Sequence, residues 1–307
     1  MEESMIKRFA ALLCVGLTLL GGAAWADTAE TAVVPADFSK QFAGRFLKEG
    51  EAPVVEDMAY RSQDVSIEIK TYREMNSDVY VADIYLRHLS DLRRGFGGGA
   101  WNGRNQKQQR VVDIALQENA ILALTGDNAH NFSTGIVYVN GVRHRKTNPK
   151  RQMCVLFADG EMKTYKSTEI TIKKLEKTGK AVWQTFLFGP ALLDENGKAL
   201  KKIRSQVASE NPRAAIGYYE PGHYCLVQVD GRGVKSVLEA GKRSKGFTLL
   251  QLSAFMEKIG CKAAYNLDGG QSALMWFNGR IVSTPYKNGR SVGDIVYIAA
   301  TKEPETK

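Results

Sequence analysis

The sequence predicts an α+β fold: large, mostly antiparallel twisted sheets with many hairpins, and two main helices packed on them. Three observations carry this. Stretches rich in β-branched and aromatic residues recur from Tyr60 onward, some alternating apolar with polar residues. Asn-Gly or Asp-Gly pairs punctuate the later part of the chain. Only two segments place apolar residues at clear helical spacing.

The elements follow in chain order. Lys7 and Arg8 precede the apolar run "FAALLCVGLTLLGGAAWA", which ends in Ala24-Trp25-Ala26. A charged start, a short apolar stretch and small residues flanking a cut site make a secretory signal. The run is short and Gly-interrupted for a stable membrane span. Residues 1–26 are therefore expected to be cleaved, giving an exported, periplasmic or extracellular protein with no stable membrane anchor. Residues 27–56 mix Ala, Thr, Pro and acids and read as a mobile tail. Residues 57–307 read as one domain.

"DVSIEIKTYR" and "VYVADIYLRHL" open that domain as strands. The Gly-rich basic stretch "RRGFGGGAWNGRNQKQQR" breaks the pattern and reads as a mobile loop, either a lid or plain surface. The first helical segment, "QQRVVDIALQEN", carries Val111, Ile114 and Ala115 on one face. Hairpin turns are expected at Asn140-Gly141, Asp159-Gly160, Asn196-Gly197, Asp230-Gly231 and Asn278-Gly279, because these residues tolerate the positive φ of a tight turn. The second helical segment, "TLLQLSAFMEKIG", has Thr248 and Gln251 at capping-box spacing and Gly260 as a stop. Each helix runs into a short apolar strand and then an acid: "AILALTGDN" ends at Asp127, "KAAYNLDGG" at Asp268. Both acids are expected where a buried strand ends, on a rigid support.

Composition narrows the function classes. Of the 307 residues, 44% are apolar and 24% charged, as in a globular protein, and the net charge is +9. A basic balance favours an anionic partner. Nucleic acid is not expected, since the densest basic run, "GVRHRKTNPKR", has no interleaved aromatic platform. Beyond the leader three cysteines remain: Cys154, Cys225 and Cys261. An odd count allows at most one internal disulfide, and no zinc spacing occurs. His88, His144 and His223 form no ligand set. No obligatory metal or cofactor is expected; a divalent cation between carboxylates is the alternative.

The stretch "NLDGGQS" differs from an ordinary turn. A capped helix precedes it, and Gln271-Ser272 separates it from the next strand. Two glycines let backbone approach a ligand and turn amides toward an anion. Asn266 and Asp268 alternate and are expected to point the same way.

The segment "NLDGGQSALMWFNGRIVSTPYKNGRSVGDIVYIA" resembles the C-terminal signature of the phosphodiester glycosidase family. "ALTGDNAHNFSTGIVYVNGV", "FGPALLDENGK", "NPRAAIGYYEPGHYCLVQVDGRG" and "KGFTLLQLSAFMEKIGCKAAYNLDGG" resemble its other blocks, in order, from about Tyr80 to Ala299. The chain departs from the family pattern at Thr125, Asn128, Ala214 and Gln271, where Asn, an aromatic, Thr and a third Gly are usual. The resemblance implies hydrolysis of sugar-1-phosphodiesters at the sugar side. It implies Asp127, Asp268 and Arg213 as catalytic residues, with the acids serving the sugar carbon and Arg213 the phosphate. Asn266, Gly269, Gly270, Ser272, Arg290, Thr248, Asn128 and His130 are the implied substrate-binding residues. The residues alone allow plainer roles: Asp127 in a turn, Arg213 in a surface ion pair, Thr248 as a cap, His130 in a loop. The expected partner is a sugar-phosphate or glycan. A non-catalytic envelope module that holds anionic glycan in the same cleft is the competing expectation.

Overall fold

The computed structural model describes residues 33–300. The expected signal segment lies outside the described residues. Among the described residues no helix is long and apolar enough to cross a membrane.

Two antiparallel sheets form the body. The larger has seven strands in the order Val54–Val55, Ala59–Arg61, Val65–Glu74, Ser77–Leu86, His223–Val229, Arg213–Glu220, Ala263–Asn266. The smaller has five in the order Arg280–Ile281, Met275–Phe277, Ala120–Thr125, Asp294–Ala299, Leu92–Phe96. A third sheet orders Met162–Tyr165, Met153–Phe157 and Val182–Phe186.

Strand periodicity explains the layering. Ile84, Ile216 and Leu226 of the larger sheet meet Leu122, Leu124, Phe277, Val296 and Ile298 of the smaller one in a shared core. Their sequence neighbours face the opposite way, because successive strand residues alternate sides. Val81, Ala215 and Val227 face α3 (Leu249–Lys258), which buries Leu249, Leu252, Phe255 and Met256 against them. Ala123, Ile295 and Tyr297 face α1 (Val111–Gln117), which buries Val111, Ile114 and Ala115. The result is a helix–sheet–sheet–helix stack, held by apolar side chains that each contribute about 1.5–3 kcal/mol on burial.

α3 begins as the sequence predicts. The Thr248 side chain accepts from the Gln251 amide at 3.2 Å, and the Gln251 side chain accepts from the Thr248 amide at 2.7 Å. A third short helix, α2 (Ile172–Lys177), was not predicted; it buries only Leu175, so it shows no apolar stripe.

Four of the five expected turns join paired segments. Asn140-Gly141 and Asn278-Gly279 have left-handed backbone at both residues, with φ of 49° and 83°, and 42° and 80°. Asp159-Gly160 connects two strands of the third sheet, and Asn196-Gly197 lies inside the Leu193–Ala199 bridge. Asp230-Gly231 is a correction. It is no hairpin turn: Asp230 is buried and accepts the Thr284 amide at 3.1 and 3.0 Å, tying a strand end to a distant loop. The longest hairpin turns instead at Met75-Asn76, with φ of 45° and 59° and no glycine to announce it.

Two further expectations need revision. Arg94-Gly95-Phe96 belongs to a strand rather than a mobile loop, because the Arg94 charge is neutralised inside the protein. The described part of the expected tail is anchored at Phe38, which is buried and whose amide bonds the Arg87 carbonyl at 2.6 Å.

Candidate active site

The two helix–strand–acid units meet at one edge of the stack. The Asp268 amide donates to the Gly126 carbonyl at 3.1 Å, and the Leu267 amide to Ala214 at 2.8 Å. The bend after Asp268 requires its glycines. A Cβ on Gly269 would sit 2.7 Å from the Pro212 carbonyl oxygen. Gly270 has φ +62°, and a Cβ there would lie 3.0 Å from the Arg232 guanidinium. The Gly270 amide itself donates to Pro212 at 2.8 Å, so its role is to close the bend rather than to face a ligand.

Beside this bend opens a cleft of about 290 Å³ whose lining includes Asp268, Arg213, Arg232, Arg290 and Phe188. Asp268 is nearly buried. Its Oδ2 accepts from the Ser272 hydroxyl at 2.7 Å and from Arg290 at 3.1 Å. Arg290 also donates to the Ser272 oxygen at 2.6 Å, closing a three-residue ring. Oδ1 has a single contact among the described residues, Arg290 at 3.5 Å. Burial pushes the Asp268 carboxyl above its ordinary range, with Ser272 and Arg290 opposing.

The cations differ in how they are satisfied. Arg213 is buried, donates to the carbonyls of Phe247 (2.7 Å) and Ser209, and has no acid partner among the described residues. Burial alone lowers it to about 10. Arg232 donates twice to Asn211 Oδ1, at 3.1 and 3.0 Å, lies over the Tyr286 ring, and likewise has no acid partner there. Arg232 is exposed, whereas the desolvated charge of Arg213 is costly without a counter-ion unless an anion arrives to supply it.

Asp127 lies one layer deeper. It is fully buried, and its carboxylate accepts the backbone amides of Leu187 (2.7 and 2.8 Å) and Phe188 (2.8 Å). It does not line the cleft, because its oxygens are aimed at this backbone. Burial raises it to about 7, against the pull of Arg94. Asn128, left-handed at φ 57°, uses its side chain to accept from Asn131 at 2.7 Å. Both amides of this bend bind Asp294: Asp127 at 3.0 Å, Asn128 at 2.9 Å.

His130 is buried. Gln108 Nε2 donates to its Nε2 at 2.9 Å, and Nδ1 has no partner among the described residues. Gly293 makes room for the ring, since a Cβ there would come within 2.1 Å of it. Burial lowers His130 below its ordinary range. Asn266 donates to the Gly189 carbonyl at 2.8 Å, and Thr248 serves as the α3 cap. Among the described residues no group of three or more His, Cys, Asp or Glu is arranged to hold a metal ion.

The profile of the phosphodiester glycosidase family matches residues 114–299. The chain belongs to this family. The match takes in α1 from Ile114 onward, both acids and the whole cleft wall. A SPβ prophage-derived uncharacterized protein of Bacillus subtilis (strain 168), YomE, is 24% identical over 184 residues, covering 57% of this chain and 27% of that protein. The chain thus matches about a quarter of that relative's length. Among solved structures, the zebrafish N-acetylglucosamine-1-phosphodiester alpha-N-acetylglucosaminidase catalytic domain, auto-inhibited by its pro-peptide, superposes with a TM-score of 0.60 at 17% identity, covering 84% of this chain and 87% of that one. A hypothetical protein from Synechocystis gives 0.51 at 12% identity, over 81% and 64% of the two chains. These likenesses show the fold.

The cleft therefore gathers Asp268, Arg213, Gly269, Gly270 and Arg290 from the sequence expectations, with Ser272 bonded to its acid. Asp127, Asn128, His130, Asn266 and Thr248 lie around it as supports. Sequence reasoning missed Arg232, Arg94 and Asp294. Arg232 was hidden in a supposed hairpin, although its φ of 56° marks an enforced backbone. Asp294 follows Gly293 within the family-like segment but sits in no motif that singles it out.

Proposed function

We propose that this chain is an exported hydrolase that cleaves sugar-1-phosphodiesters between the sugar carbon and the phosphate oxygen. Water adds to the carbon, and the products are a free sugar and a phosphomonoester. The observation that carries this reading is the cleft wall: one carboxylate, Asp268, beside two guanidiniums, Arg213 and Arg232, with no acid partner among the described residues. A phosphate is already a fair leaving group, so its departure needs charge stabilisation more than protonation. Arg213 and Arg232 supply that, and the planar fork of arginine suits phosphate oxygens. Asp268 presents Oδ1 to the sugar carbon as base or nucleophile. Ser272 and Arg290 fix its orientation through Oδ2. Asp127 acts as a positioning residue by holding the backbone of Phe188, a cleft-lining residue.

The test is turnover. Incubation with a methyl sugar-1-phosphate or a uridine-diphosphate sugar is expected to release free sugar. Asp268→Asn is expected to abolish release while leaving the far-ultraviolet spectrum and melting intact. Equal release by the variant removes Asp268 from the chemistry. Anionic glycan binding with no turnover over a broad substrate panel would instead make the protein a binding module.

A further inference from the structure

A second cavity, of about 540 Å³, opens beside the cleft and shares Phe188 with it. Part of its lining is Gly189-Pro190-Ala191, held from beneath by Asn266. The Asn266 side chain donates to the Gly189 carbonyl at 2.8 Å, and its backbone amide donates to the Pro190 carbonyl at 3.0 Å. Arg204 and Ser205 line this cavity, and the next two residues, Gln206 and Val207, line the cleft. One continuous segment thus borders both.

The second cavity has a distinct charge pattern. Arg151, Lys202 and Arg204 line it, and no carboxylate does. None of the three has an ion-pair partner among the described residues. Elsewhere on the surface, cations are commonly neutralised: Lys180 by Asp159 and Glu161, Lys166 by Glu169. The Arg151 guanidinium is steadied 3.8 Å over the Phe132 ring, which holds it without cancelling its charge. Phe188 is the sole aromatic residue in the lining, so the cavity has little platform for stacking a neutral sugar face.

The geometry points to a subsite for a second phosphate, carried by a neighbouring unit of a substrate built as a chain of sugar–phosphate units. This rests on the hydrolase reading above for the identity of the first anion. The same chemistry recurs in both cavities: guanidiniums left without counter-ions along a shared wall. A substrate that repeats its phosphate satisfies both. A neutral extension satisfies only the first.

The experiment separates this inference from the hydrolase reading by measuring binding rather than turnover. The full chain carrying Asp268→Asn is titrated calorimetrically with a methyl sugar-1-phosphate, a linear oligomer of three sugar-1-phosphate units, a neutral oligosaccharide of equal length, and a uronate oligosaccharide of equal length. The phosphate oligomer is expected to bind at least about 10-fold more tightly than the single diester at low salt, with the gap closing as salt rises. Adding Arg151→Gln, Lys202→Gln and Arg204→Gln is expected to erase the gap while leaving affinity for the single diester unchanged. All three side chains are exposed, so the substitutions spare the core. Equal affinity for monomer and oligomer overturns the inference, as does a gap that survives the triple substitution. A uronate or neutral chain binding as tightly overturns the phosphate assignment. If the unsubstituted protein releases no sugar from any of these ligands, the hydrolase reading fails, yet the binding gap still decides the subsite.

Discussion

Arg94 and Asp294, 200 positions apart, form a fully buried ion pair at 2.7 Å. The Asp294 oxygen that accepts from Arg94 also accepts the Asp127 amide at 3.0 Å, and its other oxygen takes the Asn128 amide at 2.9 Å. One carboxylate thus fixes the bend that carries the deeper acid, and one guanidinium compensates that carboxylate. Removing the guanidinium leaves a buried charge unpaired. Arg94→Met is expected to lower unfolding free energy by about 3–5 kcal/mol. Urea denaturation followed by tryptophan fluorescence reads this, and a loss near zero would show that the pair is dispensable.

Arg213 provides a test of shape against charge. Its guanidinium spends donors on the Phe247 and Ser209 carbonyls and still borders the cleft. Arg213→Lys keeps the charge but loses the fork. Turnover of a sugar-1-phosphodiester, expressed as kcat/KM, is expected to fall by about 100-fold. Unchanged kinetics would mean that Arg213 serves the loop alone.

The buried acid Asp230 makes stability depend on pH in an uncommon direction. Burial raises it from 3.8 to about 7, against its bonds to Thr284. Between those values the folded state holds a proton that the unfolded state has released. This group's contribution is therefore greatest at low pH and declines as pH rises toward 7. Asp230→Asn removes that titration. The stability of the parent relative to the variant is expected to fall between pH 4 and pH 7, with a slope of up to about 1.4 kcal/mol per pH unit. Denaturation curves across this range check it; parallel pH profiles would contradict it.

Cys154, Cys225 and Cys261 are not equivalent. Cys225 and Cys261 place their sulfurs 3.7 Å apart inside the α3 core, whereas Cys154 lies in a different cluster. In an oxidising compartment the first pair is expected to close into a disulfide, leaving Cys154 free and adding about 2–4 kcal/mol of stability. Burial holds the Cys225 thiol well above its ordinary range, so closure is expected to be slow. Peptide mapping under non-reducing conditions reads the pairing, and a bridge involving Cys154 would refute it.

Much of this organisation was legible in the residues. Alternation of Leu122, Ala123 and Leu124 dictates a strand with two different faces, and the Thr248–Gln251 spacing dictates the start of α3. The repeated helix–strand–acid unit gave the position of both acids. It did not give their direction. Asp127 turns inward because amides of Leu187 and Phe188, some 60 positions away, happen to arrive there. Arg94 reads as loop because a basic, Gly-rich stretch carries no sign that a distant aspartate will neutralise it. Asp230-Gly231 has the letters of a hairpin, but burial of its carboxylate against Thr284 outranks local turn chemistry. Local pattern specifies elements; partners remote in sequence decide what a charged side chain does.

The amide-to-carbonyl link between Asp268 and Gly126 joins the ends of two strands that belong to opposite layers. The cleft is consequently a seam between two layers whose faces meet through oily contacts, with polar ties such as Asp230–Thr284 and Asp268–Arg290 confined to the edges. Sliding of one layer by a fraction of an ångström would misalign the acid before either half lost its own hydrogen-bond ladder. On warming, catalysis is then expected to fade at temperatures where the secondary structure is still whole.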